Sequence, residues 1–507
     1  MAPVIGFFAA IGGIITGGLA TGVVAAVIGA VAVVGVIAKV VGLFAGGGVS
    51  GDTSITSSLS GSAYTFGQLV TQTNSSLALP IVYGQFKCAG NIIWQEGSTT
   101  VKRLTSFCVG PISGFSDIRL NDIPIGSISG CTYNTYTGNG TQSIDSRVTG
   151  TTQSEKAAVV GGLRHEAYIA VTITATEQVN SDFNITTLVT GKFVEVYDAY
   201  LTTEDGFHIT TEDGNPLHVE IGNHDTLYSN NPAYCILDFL TSYEGIGMST
   251  SDIDIASFID SARYCDEDVD GQPRFTLNIV IDTKQATLDW ISEMCKTCQA
   301  VFGKRGDKWF MLIDKAEDTS GVLTFTKDNI NDMESYFLEM ENTFDVVNAN
   351  YKDGDYEWTY VQARAEADTY LREDYPLMKT FDIFGVTNFD QASRLAWFYL
   401  NQAMLTPMFI AFKTSKRGLN LTVGDIISID DYIYGFSGKY YRVLNLSEAQ
   451  NNQIQITARE YNASLYTDMR GSAEPTINFL YNEAGKLYLE DFSGRILLED
   501  GFYLIQE

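Results

Sequence analysis

The side chains able to do chemistry are few, and their spacing argues against most reactions. All four histidines, His165, His208, His218 and His224, fall in one stretch, and the last three alternate with Asp205, Glu212, Asp213 and Glu220. Imidazoles interleaved with carboxylates could hold a metal or line a symmetry axis, but no HExxH or other fixed ligand spacing accompanies them. Cys295 and Cys298 form a CxxC, the spacing of redox centres and of half a zinc site. They read as lying inside a helix and no second CxxC exists, so core-facing thiols are expected. Asp266-Glu-Asp-Val-Asp-Gly271 copies the opening of a calcium loop, but Leu277 stands where the bidentate carboxylate belongs, so a solvated acidic turn is expected. No GxSxG, P-loop or peptidase-type Cys/His/Asn set occurs. With 61 acidic residues, naming any two as a glycosidase pair is arbitrary. Catalytic, cofactor-binding and metal-binding residues are all expected to be absent.

The clearest local signal is a helix. Asn231 is a good N-cap, Pro232 suits a first helical position, and Ile236, Phe239, Leu240 and Tyr243 share a face before Gly245 stops the run. A second helix is expected over Asp252–Tyr264, then a half-buried strand over Phe275–Ile281. Asp282 or Thr283 should cap a third helix on which Leu288, Ile291, Met294, Cys295 and Cys298 recur at helical spacing, and Val301–Ile313 should turn back about Lys304-Arg-Gly-Asp307. A long helix is expected over Phe389–Leu405. Phe344–Tyr351, Met408–Thr414, Ile426–Ile429, Tyr440–Leu446 and Gln453–Tyr461 read as strands of one barrel or sandwich that this helix interrupts.

Three of these stretches, in this order, resemble the tail-tip attachment (host-specificity) proteins of lambda-like siphophages. The first is Tyr228-Ser-Asn230-Asn231-Pro232-Ala with Gly247-Met248 behind it; the second is the strand, the Trp290-bearing helix and the hairpin. The third is Asp382-Ile-Phe-Gly385, the following helix, and the Gly424-Asp425 turn before an acidic strand end. The likeness covers residues 226–465 and reaches back to Leu79-Pro-Ile-Val-Tyr83-Gly84 with Gly90-Asn91. It implies a hub of two β-barrels around an α/β module, trimerised about the tail axis at the distal end of the virion. Such a hub closes the tail tube, contacts the distal tail protein, the tape measure protein and fibre proteins, and opens for DNA ejection. The chain has little sequence beyond its second barrel, where lambda-like proteins continue into a long receptor-binding extension. A separate fibre, or the stretch Glu474–Glu507 itself, is therefore expected to meet the host.

Composition bears on the same reading. The chain has 507 residues, 32 basic and 61 acidic, for a formal net charge of -29. Such a surface gains nothing by counterion release from nucleic acid, so specific DNA or RNA binding is disfavoured, whereas an acidic wall lets DNA slide past without sticking. On composition alone, an ordinary soluble acidic surface accounts for the charge better than a channel does. The expected class is α+β, mostly β. Its divisions are an apolar Gly-rich helical segment (1–50), the start of a first barrel (51–111), an all-β insertion (112–225), an α/β module (226–330), a second barrel (331–470) and a hairpin tail (471–507).

The two ends stand apart. No charged residue occurs before Lys39, and Gly13, Gly17, Gly18 and Gly22 follow the small-xxx-small spacing of closely packed helices. This segment could enter the host membrane or be buried against other apolar tail components, and both readings stay open. Leu201-Thr-Thr-Glu-Asp-Gly-Phe-His-Ile209 is echoed at 210–214 and by Ile496–Leu504, each a short hairpin about Asp-Gly. Two rivals to a tail hub follow: a membrane-active protein whose N-terminal segment is the effector, and a cell-wall-degrading baseplate enzyme.

Overall fold

The computed structural model describes residues 71, 78–174, 179, 182–197, 224–283, 287–338, 343–356, 358–367, 376–431, 435–449 and 452–469. The apolar segment with Gly13, Gly17, Gly18 and Gly22, the hairpin repeats, His208 and His218 lie outside them. Among the described residues no helix is long and apolar enough to cross a membrane.

The first module is built from β1 (Ile81–Tyr83), β2 (Gln85–Ala89), β3 (Asn91–Glu96), β4 (Thr100–Val109), β5 (Ile112–Leu120), β6 (Ile123–Pro124), β7 (Thr132–Thr137), α1 (Gln153–Val160), β8 (Glu166–Thr174), β9 (Ile185–Val196) and β10 (Asp225–Tyr228). One antiparallel sheet runs β3-β4-β8-β7; the other runs β10-β9-β5-β6 with β2 also paired to β9. Val101, Phe107, Ile169, Val171 and Ile173 of the first sheet meet Phe86, Ile185 and Val189 of the second in a common core. The intervening residues Leu104, Tyr168 and Ala170 instead join Ile144, Val148 and Leu163 in a separate cluster beside α1. Both faces of β8 are covered, which is why Ala167–Thr174 reads as a nearly continuous apolar run.

Two expectations are corrected here. The first barrel is a pair of open sheets facing one another. Residues 112–225 are not a self-contained all-β insertion, because β5 and β9 share a sheet with β2, β8 pairs with β4, and α1 interrupts the strands.

The second module contains α2 (Pro232–Thr241), α3 (Ile255–Cys265), β11 (Asp268–Val269), β12 (Gln272–Pro273), β13 (Ile279–Ile281), α4 (Thr287–Lys296), β14 (Ala300–Arg305) and β15 (Lys308–Ile313). β13 pairs with β1 of the first module, Ile279 opposite Tyr83 and Ile281 opposite Ile81. Only this buried end of the Phe275–Ile281 stretch is a strand, and all three of its residues are buried, so the expected half-buried alternation fails. α2 ends at Thr241, which leaves Tyr243 95% exposed rather than on the apolar face. Cys298 lies in the turn after α4, not inside the helix, yet both thiols of the CxxC are fully buried.

The rest comprises β16 (Leu323–Thr326), β17 (Asn331–Phe337), β18 (Val346–Asp353), β19 (Thr359–Glu366), β20 (Met378–Asp382), α5 (Phe389–Leu405), β21 (Met408–Thr414), β22 (Ile426–Asp431), β23 (Phe436–Ala449) and β24 (Gln453–Glu460). α5 occupies the span expected for it, capped by Asn388 through Asp390 and Gln391. β19-β18-β20 form a small sheet against α5, where Ala349, Ala363 and Ala365 let the helix approach closely. The segment Phe344–Tyr351 therefore belongs with the helices, not with the second barrel.

The remaining strands make one sheet in the order β16-β22-β23-β24-β21-β17. Phe325 on β16 and Phe412 on β21 are four strands apart, ~19 Å in a flat sheet at ~4.8 Å per strand. Their ring centroids are 5.1 Å apart, so the sheet is rolled onto its own apolar face. The roll stays open, since β16 and β17 are not hydrogen-bonded to each other. In place of two closed barrels the described residues thus form a sandwich and a rolled sheet, joined by a helical module.

Candidate functional site: the junction between the modules

Several of the motif residues meet at the seam where β1, β9, β13 and α2 come together. Tyr83 is fully buried; its hydroxyl donates to Asp238 Oδ2 at 2.6 Å, and Lys192 Nζ donates to the same oxygen at 2.8 Å. Glu244 lies 3.6 Å from that ammonium. Burial, then the Asp238 charge, pushes the Tyr83 phenol well above its ordinary range, so it is a permanent donor. The cluster links the first module (Lys192 and Tyr83) to α2 (Asp238).

Gly84 continues the seam. Its φ of 68° suits glycine, and a Cβ there would overlap the Leu277 carbonyl oxygen and Asn278 Oδ1. Asn278 Oδ1 accepts the Gln85 amide at 2.8 Å, Nδ2 donates to Thr387 Oγ1 at 2.7 Å, and its own amide donates to the Gly385 carbonyl at 2.8 Å. Gly385, at φ 88°, packs where a Cβ would press on Leu277 Cδ1 at 2.7 Å. Tyr83, Gly84 and Gly385 are thus brought to one segment, 277–281, by hydrogen bonds and close packing. Asn230 joins them, its carbonyl accepting the Leu277 amide at 2.7 Å.

Asn231 serves two helices. Its Oδ1 accepts the Ala233 amide at 3.0 Å as the N-cap of α2, and its Nδ2 donates to the Ala262 carbonyl in the last turn of α3 at 2.9 Å. Pro232 takes the first helical position as expected. Gly247, at φ 70°, closes the turn after α2 by donating to the Ser242 carbonyl at 2.9 Å. Tyr228 ends β10, its phenol pushed up to about 12 by burial and then by Cys235.

Trp290 adjoins the seam from α4, where it is buried and donates to the Thr283 carbonyl at 3.3 Å. It forms one wall of a cleft of about 200 Å³ with Phe239, Ile81 and Ile281. Gly424 and Asp425 are separate. Thr422 donates its amide and hydroxyl to the Asp425 carboxylate at 2.7 and 2.9 Å, and a Cβ on Gly424 would overlap Leu312 of β15. Every one of these residues acts on backbone geometry, packing or module contacts.

The sequence reading missed the residues that carry the polar seams. Asn278 was visible as the polar interruption of Phe275-Thr-Leu-Asn-Ile-Val-Ile281. Gln391, 3% exposed, accepts from the Thr276 amide and hydroxyl and donates to the Thr276 and Thr297 carbonyls. Arg442 pairs with Asp314 at 3.1 Å, and Tyr466 donates to the same carboxylate at 2.6 Å. Only their tertiary neighbours distinguish Gln391 and Arg442 from solvent-facing residues.

Among the described residues no constellation that might do chemistry assembles; Asp205, His208, Glu212, Asp213, His218 and Glu220 lie outside them. Among the described residues no three His, Cys, Asp or Glu side chains converge on a metal position. His224 lies 3.8 Å from Glu195, both half exposed. Cys235, Cys265 and Cys295 are buried thiols whose ionisation burial pushes well up. Asp266–Gly271 is the expected acidic, mostly exposed stretch: it includes β11, whose Val269 is buried, and turns at Asp270-Gly271 before β12.

This open sandwich, helical module and rolled sheet define a fold shared with a chain of a virion particle. A chain from the virion of a native gene transfer agent particle superimposes with TM-score 0.56 at 15% identity, over 88% of this chain and 98% of that one. A tail protein from Neisseria meningitidis MC58 aligns over 77% of this chain and 99% of its own, at 8% identity and TM-score 0.33, too low to add to the comparison. In sequence, the chain is similar to tip attachment protein J of Escherichia phage SECphi27, 24% identical over 222 residues. That match spans 41% of this chain and 18% of the phage protein's length. No protein-family model matches. The resemblance to phage tail-tip proteins read from the motifs is thus found in the sequence comparison.

Proposed function

We propose that the protein is a structural hub at the distal end of a phage tail. Several copies, three by the family resemblance, close the tube, organise distal tail, tape measure and fibre proteins, and open for DNA ejection. The observation that carries the reading is the 222-residue similarity to a tip attachment protein. The motif residues support it by their roles: they fix how three modules join, which is what a part that holds shape under load requires. The mechanism is mechanical: interfaces between copies rearrange on receptor engagement and unplug the tube, with no reaction involved. The net charge of -29 fits a wall that DNA traverses without adhering.

A second reading is favoured by one sequence feature, the uncharged stretch Met1–Ala38, which is long enough to enter a bilayer. Liposome leakage by the full chain, lost when the chain starts at Asp52, would support it. The hub reading is tested by gold-labelled antibody to this chain on intact particles. Label confined to the distal tail supports the hub; label on the capsid or in host membranes overturns it.

A further inference from the structure

We propose that the tip of the β14–β15 hairpin is a head-to-tail contact that receives the acidic surface of a second copy of this chain. The inference rests on the hub reading for the presence of several copies. Lys304, Arg305 and Lys308 crowd into five residues of a chain with 61 acidic and 32 basic residues. All three are exposed, and among the described residues none forms an ion pair, although Asp307 sits between them. Elsewhere Arg147, Lys192, Arg274, Lys296 and Lys413 each hold a carboxylate at 2.6–2.9 Å.

The tip is held in shape before any partner arrives. Arg305 pairs with Lys308 across a turn through Gly306 at φ 63°, and the Phe302 and Trp309 rings stack at 5.0 Å and 1°. Lys304 Nζ lies 5.9 Å from the Trp309 centroid and the Arg305 guanidinium 4.6 Å from that of Phe310. Cations fixed over rings lose less freedom on binding than cations on free stems.

The matching surface is set by α3. Its N-terminal end is fastened to the hairpin, Ile253 bridging Trp309 and the Asp254 amide donating to the Trp309 carbonyl at 2.8 Å. Its C-terminal end runs into Asp266, Glu267, Asp268 and Asp270, all exposed, of which Glu267 is held by Arg274 at 3.2 Å. α3 has 11 residues, so the two ends are about 16 Å apart at 1.5 Å per residue. Asp252 and Asp254, at the tip's own end, form no ion pair with the tip's cations among the described residues. The cations of the tip and the carboxylates after α3 stand at opposite ends of one rigid element and cannot meet within a chain. They match between copies related by a rotation, the heterologous contact that closes into a ring. Three cations on a chain of net charge -29 do not hold an extended polyanion, which must cover more surface than the tip.

The test is sedimentation of the full chain in non-ionic detergent, which masks association through its apolar N-terminal residues. It is run at about 50 mM and about 500 mM salt, where screening lengths differ about threefold. The wild type should form multimers at low salt and fewer at high salt. Lys304→Glu with Lys308→Glu should weaken low-salt association about tenfold or more, and adding Asp268→Lys with Asp270→Lys should restore it. A natively folded double variant, by circular dichroism, that associates like the wild type overturns the proposal. So does a fourfold variant that fails to recover, or a double variant whose only loss is binding to duplex DNA or anionic vesicles. A wild type that stays single although antibody marks the tail tip refutes the contact and spares the hub. Salt-sensitive multimers with label elsewhere do the reverse.

Discussion

Tyr83 and Lys192 both donate to Oδ2 of Asp238, so one carboxylate oxygen joins a strand end, a second strand and a helix across the seam between two modules. Lys192 and Asp238 are 9% and 12% exposed, so the pair has lost most of its water. Removing one partner of a buried pair leaves the other charge stranded, at a cost of about 3–5 kcal/mol. Asp238→Ala is expected near the lower end, because Glu244 at 3.6 Å still faces the ammonium. The triple change Tyr83→Phe, Lys192→Met and Asp238→Leu should cost less than Asp238→Ala alone, since it strands nothing. Urea unfolding midpoints of the two variants decide this, and a triple variant weaker than the single one contradicts the assignment.

Gly84 and Gly114 make a matched pair for testing the seam. Gly84→Ala meets the Leu277 carbonyl and Asn278 Oδ1 at a φ of 68°, whereas a Cβ on Gly114 meets nothing within 4 Å. Gly84→Ala should cost more than about 2 kcal/mol, and Gly114→Ala should stay within about 0.5 kcal/mol of the wild type. Thermal unfolding of both variants checks the difference. Equal behaviour would mean that the segment at 277–281 gives way easily and is no rigid seam.

Lys352 supplies a pH dependence. Its ammonium lies 5.4 Å from the Phe86 ring of the first module and 5.5 Å from the Tyr360 ring of the neighbouring strand. Burial brings it down to about 8, with the Asp282 carboxylate pulling the other way; the Cys88 thiol, pushed up to about 12 by burial, is neutral there and adds no charge. The unfolded chain holds that proton to about pH 10.4. Between those values the unfolded state binds more protons, so Lys352 makes stability rise with pH. Below about 8 the lysine is charged in both states and the penalty is fully present. Lys352→Met should therefore stabilise the protein at pH 7, and the difference from the wild type should shrink between pH 8 and 10. An unchanging difference across that range would show that Lys352 is solvated.

Local chemistry was legible in the sequence wherever it decides local structure. Asn231-Pro232 set the start of α2, the hairpin about Gly306 formed as read, and Phe389–Leu405 became α5 in full. What failed were statements about which elements share a sheet. Val346–Asp353 has the alternation of a barrel strand, but it pairs with β19 and β20 and gives its small residues to α5. Period and propensity report that a strand has a buried face, and they carry no information about what covers it. The same holds at the junction. Glycines with positive φ could be read from turn chemistry, whereas Gln391, Asn278 and Arg442 are ordinary polar residues until the fold surrounds them.

Arg459 shows how such a residue joins two modules. It is 3% exposed, lies 5.2 Å over the Phe409 ring, and donates to the Thr406 and Gln402 carbonyls at 2.9 and 2.6 Å, capping α5 from the rolled sheet. Those carbonyls are the negative end of the helix and have no amide of their own helix to accept from, so a planar cation that reaches two of them satisfies both polarity and geometry. Burial lowers its ionisation to about 10, with Asp314, Tyr466 and Glu460 opposing, so it stays charged at neutral pH. Arg459→Ala should cost about 3 kcal/mol through the orphaned Thr406 carbonyl, a Gln402 carbonyl left with the Thr406 hydroxyl alone, and the lost packing on Phe409. Arg459→Lys should recover less than half of that, because a point ammonium cannot bond two carbonyls in one plane while lying flat on a ring. Amide hydrogen exchange in the last turn of α5, read beside the urea midpoint, separates this from general weakening. Faster exchange at Asn401–Leu405 in both variants is expected, and protection in Arg459→Lys equal to the wild type would show that charge alone holds the helix end.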